Sequence, residues 1–156
     1  MRKVDTDNYL CSADKNFFLP TLLAPSTGLK FKAVFTGPMA CHTMCITADG
    51  KCFAFGRNDK GQLGVGDCLA RNRPAEVKVF QGLQVSKAAV GKNHTLFLTS
   101  IGDVWAAGSN AFGQLGLGKV SDFEDRAKQI PTFSTSKVEC FCFHLFREID
   151  RFFHMA

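Results

Sequence analysis

The sequence lacks the long apolar runs that mark membrane-spanning or secreted proteins. The longest apolar run near its start, residues 17–24, is short and is broken by Pro20. A helix that crosses a membrane needs about 20 apolar residues. Residues 1–7 carry charges of both signs and no apolar core, so we expect no signal peptide. These absences predict a protein of the nucleus or the cytoplasm that is not secreted and has no membrane partner.

The residue sets of enzyme catalysis are also missing. No Ser/His/Asp or Cys/His set recurs with catalytic spacing. The run from Gly113 to Lys119 imitates a phosphate-binding loop, but Val120 stands where such a loop needs Ser or Thr to bind magnesium. We therefore expect no catalytic residues, no cofactor-binding residues and no small-molecule substrate. The chain is predicted not to be an enzyme.

What the sequence does contain is an internal repeat. Residues 61–66 (GQLGVG) return as residues 113–118 (GQLGLG), an offset of 52 positions, and the ungapped alignment of 42–66 with 94–118 has 12 identities in 25 positions. A fixed period of this size is typical of repeat proteins. The repeated positions that we predict to be structural are His42, Gly50, Gly56, Gly61, Leu63 and Gly64, with His94, Gly102, Gly108, Gly113, Leu115 and Gly116 in the second copy.

Each copy predicts a β-hairpin followed by a glycine-rich loop. Residues 43–47 and 52–55 favour strands, and Asp49-Gly50 between them is a strong turn signal. Apolar side chains occupy both faces of these strands, so both faces need a cover. Blades stacked in a propeller provide that cover. Further strands are expected at 31–36, 74–80 and 87–91, which gives about four short strands per copy. Leu63 is expected to fill the core beneath its loop.

The cysteines and histidines of the first copy suggest a zinc site only superficially. Cys41, His42 and Cys45 have suitable spacing, but the second copy keeps only the histidine. We therefore interpret this histidine as structural and expect no metal site. The seven cysteines are an odd number, and we expect them to be thiols in a reducing compartment.

Each copy has the same order of motifs. The order is His-Thr, then a glycine, a strand that contains an aromatic residue, a second glycine, an asparagine and finally Gly-Gln-Leu-Gly-x-Gly. This order resembles the repeat of the regulator of chromosome condensation family. Within that family, residues 37–42 and 56–64 look like the telophase-disc, or chromosomal-passenger, type. The resemblance covers about residues 30–120. It implies an all-β fold, namely part of a seven-bladed β-propeller with about two four-stranded antiparallel blades. Because seven repeats would close a ring and only two are present, we expect a truncated form.

The resemblance also implies function. Members of the family bind small GTPases, some accelerate guanine-nucleotide exchange, and some bind chromatin or spindle and microtubule structures during mitosis. We expect a protein-binding scaffold related to these regulators. The alternatives are an exchange factor for a small GTPase when the full ring is present, and a non-functional fragment. The candidate partner-binding loop is Arg57, Asn58, Asp59 and Lys60, where the second copy has Ser109, Asn110, Ala111 and Phe112.

The chain divides into three predicted regions. Residues 1–30 form an irregular entry segment, residues 31–120 form the two repeats, and residues 121–156 form a divergent, Phe-rich tail. Within the tail, five apolar residues fall on one face of a helix. A helix that binds a partner, a strand that completes a blade and meaningless readthrough sequence all remain open for this tail. The five residues are Val138, Phe141, Leu145, Ile149 and Phe152.

Overall fold

The computed structural model describes residues 29–131, which form two four-stranded antiparallel sheets. Blade 1 comprises the first sheet and blade 2 the second, and in both sheets the strands pair in sequence order. The all-β prediction is confirmed, and no helix within residues 29–131 is long and apolar enough to cross a membrane. The strands are β1 (Phe31–Phe35), β2 (His42–Thr47), β3 (Cys52–Gly56), β4 (Arg71–Glu76), β5 (Val85–Val90), β6 (His94–Thr99), β7 (Val104–Ser109) and β8 (Phe123–Gln129).

The two central hairpins lie where the repeat predicts them. In β2–β3, Cys45 pairs with Phe53, and 52 residues later Phe97 pairs with Trp105 in β6–β7. Gly50 in the first turn has a φ of 81°, a conformation that side chains other than glycine adopt only at a cost. The period of 52 therefore repeats the register of the strands as well as the sequence.

The apolar core lies between the two blades. Met44 and Ile46 of β2 and Ala54 of β3 pack with Phe97 and Ala107 of blade 2, all at most 3% exposed. A short 3-10 turn, Lys78–Phe80, links the blades, and the Phe80 ring lies 5.0 Å from the ring of Phe97. Blade 2 thus covers one of the two apolar faces of blade 1, as expected for stacked blades.

A second apolar cluster lies on the opposite face of blade 2, which we call the outer face. Five of its six members stand 52 positions after residues of blade 1 that pack against blade 2, and Ile130 stands 53 positions after Val77. The outer face therefore repeats the packing surface of blade 1. It is formed by Leu96, Leu98, Val104, Ala106, Leu115 and Ile130.

The edge strands differ from the sequence prediction. Residues 74–80 were expected to form a strand, but β4 spans Arg71–Glu76 and is followed by the 3-10 turn. The register shifts between Ala54, paired with Ala75, and Gly56, paired with Arg71. Pro74 lies in this irregular part of an edge strand, where its missing N–H costs no interior ladder bond. The predicted bounds were wrong because residues 78–80 form a 3-10 turn that places Phe80 against Phe97, instead of continuing the strand.

The predicted boundary at residue 120 also requires correction, because β8 completes blade 2 inside the predicted tail. Only Glu124 and Ala127 of this strand are buried. An edge strand with so few buried side chains carries a weak alternating signal. The helical stripe predicted within residues 138–152 and the entry segment at 1–28 lie outside the described residues.

Candidate partner-binding loop face

The long loops of both blades emerge from the same end of the sheets, which we call the loop face. It comprises the connections 36–41, 57–70, 91–93 and 110–122. Contacts between the blades show that the two sets of loops adjoin: a Cβ added at Gly37 would lie 2.1 Å from the Val90 carbonyl oxygen at the end of β5. The hairpin turns 48–51 and 100–103 lie at the opposite end, the hairpin face. Candidate partner contacts therefore belong to one continuous surface.

Each long loop is held from inside by one asparagine. Asn58 is 0% exposed; its side-chain amide donates to the carbonyl oxygens of Asp67 (2.7 Å) and Leu69 (3.1 Å), and its oxygen accepts the Leu63 N–H (2.9 Å). Asn110 is equally buried and repeats this arrangement through Lys119 (2.9 Å) and Leu115 (3.2 Å). Buried polar groups that are satisfied in this way fix one loop conformation.

A glutamine completes the frame in each loop. The side-chain oxygen of Gln62 accepts the Lys60 N–H (2.8 Å), and that of Gln114 accepts the Phe112 N–H (2.9 Å). The amide nitrogen of Gln62 donates to Asp59 (3.3 Å) and that of Gln114 donates to Ser109 (3.1 Å). The backbone frames of the two loops are therefore alike although their exposed residues differ.

The buried state of Asn58 corrects one of the predicted partner-binding residues. Arg57, Asp59 and Lys60 are at the surface, but Asn58 has no atom available to a partner. Arg57 and Asp59 form an ion pair with Nε and Oδ1 2.6 Å apart, and the hydrogen bond from Arg57 lowers the pKa of Asp59. The sequence held a signal for this correction, because asparagine is the only one of the four residues kept in both copies.

The equivalent surface of blade 2 is apolar. Phe112 is 80% exposed and Val120 69% exposed. In the same blade, Glu124 accepts a hydrogen bond from Ser121 (3.0 Å) and pairs with Lys119 (2.9 Å) and Lys128. Burial alone would raise the pKa of Glu124, but these partners lower it to about 2. Blade 2 thus presents a phenylalanine where blade 1 presents Lys60.

His42 links the two blades below the loops. It is 3% exposed, and its Nε2 lies 2.7 Å from the hydroxyl oxygen of Thr95 in β6. That hydroxyl donates its one hydrogen to the Gln62 carbonyl oxygen (2.7 Å), so Nε2 must be the donor to Thr95. Burial, and secondarily His94, lower the pKa of His42 to about 4. The imidazole is therefore neutral at pH 7, and its hydrogen bond joins the two blades.

The glycine-rich loop of blade 1 reaches into blade 2. Leu63 is fully buried in the core between the blades, and the Gly66 N–H donates to the Asp125 carbonyl oxygen of β8 (2.9 Å). Gly61 has a φ of 69°, and a Cβ added there would lie 2.5 Å from the Asp125 Cα. Glycine is therefore required at this position both by conformation and by space.

The thiols of blade 1 are in two environments. Cys45 and Cys52 are buried, and burial raises the pKa of Cys45 and raises that of Cys52 to about 12. Cys41 is exposed and Cys68 half-buried. Among residues 29–131 there is no group of three or more His, Cys, Asp or Glu side chains placed to hold a metal ion.

Two stacked four-stranded antiparallel blades, joined by repeated loops, define a β-propeller repeat protein. Residues 49–98 and 85–114 each match the description "Regulator of chromosome condensation (RCC1) repeat". The chain therefore belongs to the RCC1-repeat family, as the sequence predicted.

Relatives support this assignment. The chain is 41% identical over 116 residues to the protein RCC2 homolog of Xenopus laevis, which covers 74% of this chain and 23% of that protein. It is 44% identical over 93 residues to the X-linked retinitis pigmentosa GTPase regulator of Mus musculus, covering 60% of this chain and 9% of that protein. The chain thus spans less than a quarter of the length of either relative.

Solved structures share the fold. The structure of Prp20p from Saccharomyces cerevisiae, described with its binding to Gsp1p and histones, has a TM-score of 0.57 at 18% identity, over 69% of this chain and 27% of Prp20p. The complex of Kap60 with yeast RCC1 has a TM-score of 0.60 at 20% identity, over 70% of this chain and 27% of that chain. At this level of identity the likeness concerns the fold.

Proposed function

We propose that this chain is a protein-binding scaffold whose loop face contacts its partner. The observation that carries the proposal is that the two loops share one internal frame and differ at the surface. Asn58 and Asn110 hold the frame, whereas Arg57 and Lys60 are replaced by Ser109 and Phe112. The fold does not need these surface residues to differ. Rigid elements that carry variable loops are the usual arrangement for binding.

The partner class proposed is a small GTPase. One relative is named as a GTPase regulator, and the structure of Prp20p was described with its binding to Gsp1p. The loop face offers a charged surface at Arg57, Asp59 and Lys60 beside an apolar one at Phe112 and Val120. An apolar contact within a charged rim is the common composition of a protein interface. Chromatin or spindle components are alternative partners.

The binding proposal can be tested on the full chain with purified small GTPases. Each would be measured in the GDP, GTP-analogue and nucleotide-free states, and release of a fluorescent GDP analogue would be followed separately. Saturable binding without faster release supports a scaffold. Release that accelerates with the concentration of the chain would instead indicate exchange activity, which requires tighter binding to the nucleotide-free state.

Matched variants connect the binding to the loop face. Arg57→Glu and Phe112→Ser should each weaken binding by about tenfold, since charge complementarity and buried aromatic groups dominate such contacts. Lys51→Glu and Ile101→Ser are the controls, because Lys51 also pairs with an aspartate and Ile101 is also exposed, but both lie on the hairpin face. Equal losses for variants of the two faces would contradict the proposal.

A further inference from the structure

The outer face of blade 2 is apolar, and no other sheet among residues 29–131 lies on it. Leu96, Leu98 and Val104 are at most 3% exposed. Blade 1 packs on the opposite face, where Phe97 and Ala107 lie. An apolar face of a sheet needs a second layer packed against it. Residues 29–131 place a sheet only against the opposite face, so the outer face still needs a second layer.

The chemistry of the outer face defines what such a cover must provide. Met44, Ile46 and Cys52 are residues of blade 1 that pack against blade 2. The residues 52 positions later, Leu96, Leu98 and Val104, belong to the outer face. In that contact blade 2 contributes mainly apolar side chains such as Phe97. The cover of the outer face must likewise be apolar and several residues wide.

The chain leaves the described region at the border of this face. β8 ends at Gln129, and Ile130 already belongs to the outer face. At the other end the chain enters β1, where Phe31 lies 5.8 Å, ring to ring, from Phe53 of blade 1. Residues 1–28 are therefore joined to blade 1, whereas the residues after 131 are joined to the edge of the outer face.

The sequence after Pro131 has the composition that the outer face needs. Five apolar residues follow at positions that share one helical face, beginning with Val138. The eight residues from Ile130 to Val138 can extend over about 27 Å, whereas four adjacent strands are only about 14 Å across. Residues 132–156 contain no His-Thr and no Gly-Gln-Leu-Gly, so they do not supply a third repeat.

We propose that residues 132–156 of this chain cover the outer face of blade 2, with Phe141, Leu145 and Ile149 taking the role that blade 2 has on blade 1. The segment then acts as a cap for the repeat array. Terminal units of repeat proteins commonly need such an atypical cover.

Photo-crosslinking of the full chain tests the contact directly. The photoreactive residue p-benzoylphenylalanine is placed at position 141, and at position 143 as the matched control, which is also a phenylalanine but points away from the apolar stripe if the segment is helical. We expect crosslinks from position 141 to peptides of β6 and β7 in the same chain, at several times the yield from position 143. Mixing isotope-labelled and unlabelled chains separates contacts within a chain from contacts between chains.

Three results would overturn the proposal: crosslinks mainly between chains, crosslinks mainly to residues 1–28, or equal yields from both positions. Hydrogen exchange provides a second measurement. Phe141→Ser should accelerate exchange in peptides spanning 96–106 by about tenfold, and Phe143→Ser should not. Equal exchange in the two variants would also contradict the proposal. Because the crosslinking chain keeps an aromatic residue at position 141, a failure to fold cannot account for its result.

Discussion

The two blades have the same backbone plan but different neighbours. In blade 1, the glycine-rich loop and Leu63 are enclosed between two sheets and bonded to β8. In blade 2, the equivalent Leu115 faces the outer cluster, and no sheet within residues 29–131 lies beyond it. The same sequence signal therefore has different energetic weight in each copy. The loss of stability on substituting a repeat position therefore depends on which residues of the adjacent blade pack against that position.

Substitution of the first loop glycine is expected to separate the two blades most strongly. Gly61 and Gly113 have almost the same φ, 69° and 73°. A Cβ at Gly61 would lie 2.5 Å from the backbone of blade 2, whereas one at Gly113 would meet only Val120 at 3.8 Å. We expect Gly61→Ala to lower the free energy of unfolding by roughly 3–4 kcal/mol and Gly113→Ala by roughly 1–2 kcal/mol.

Chemical denaturation of both variants measures this difference. If the two alanine variants lost equal stability, the blades would not be packed as described.

The stability of the chain should depend on pH because His42, which joins the two blades, is buried in its neutral form. Its pKa is lowered to about 4 in the folded chain and is about 6.5 when unfolded. The unfolded chain therefore binds the proton first, and stability falls as pH drops below 6.5. Between pH 7 and pH 5 the loss should be about 2 kcal/mol. His42→Gln should flatten this part of the curve.

Glu124 contributes in a different pH range. Its pKa is lowered to about 2, so its contribution is present above about 4.5 and is lost as pH falls from there toward 2. Urea titrations at pH 7, 6 and 5 therefore isolate the histidine. If the free energy of unfolding of the parent chain changed with pH as little as that of His42→Gln, the histidine would be exposed.

Much of the fold could be predicted from the sequence, and the exceptions have physical reasons. The hairpins around Gly50 and Gly102 were predictable because a turn signal stands between two apolar runs. Strand β8 was missed because its two buried residues, Glu124 and Ala127, give almost no apolar periodicity. The candidate site was predicted less well. Asn58 was assigned to the partner-binding surface, although its retention in both copies indicated a structural role.

Replacing the buried asparagine of each loop, Asn58 or Asn110, should lower the stability of the chain by the same amount in both blades. Asn58→Ala and Asn110→Ala each leave buried N–H and carbonyl groups without their partner, so each should cost about 1–2 kcal/mol. The two losses should agree, since both side chains are 0% exposed and bonded only within their own blade. Asn58→Asp, which keeps the shape but removes the donors, should be at least as destabilising. Thermal melts of the three variants measure these losses, and clearly unequal melting temperatures for the two alanine variants would contradict the prediction.

The smallest effect is expected at the exposed ion pair. Arg57→Ala removes the contact with Asp59, but both side chains are nearly half exposed. Solvent screens such pairs, and they usually contribute little to stability. The melting temperature should therefore stay within experimental error, as it should for Lys51→Ala on the hairpin face. A clear drop in melting temperature for Arg57→Ala alone would mean that Arg57 stabilises the fold of the loop.

The contact between the Gly66 N–H and the Asp125 carbonyl oxygen also sets an order of events during translation. The loop that contains Leu63 leaves the ribosome about 60 residues before β8 does. At synthesis rates of about 5–20 residues per second, this delay is roughly 3–12 s. During that time Leu63 has no second sheet to enter, and blade 1 exposes the face that blade 2 later covers. The interval in which the nascent chain needs protection is thus determined by the number of residues between this loop and β8.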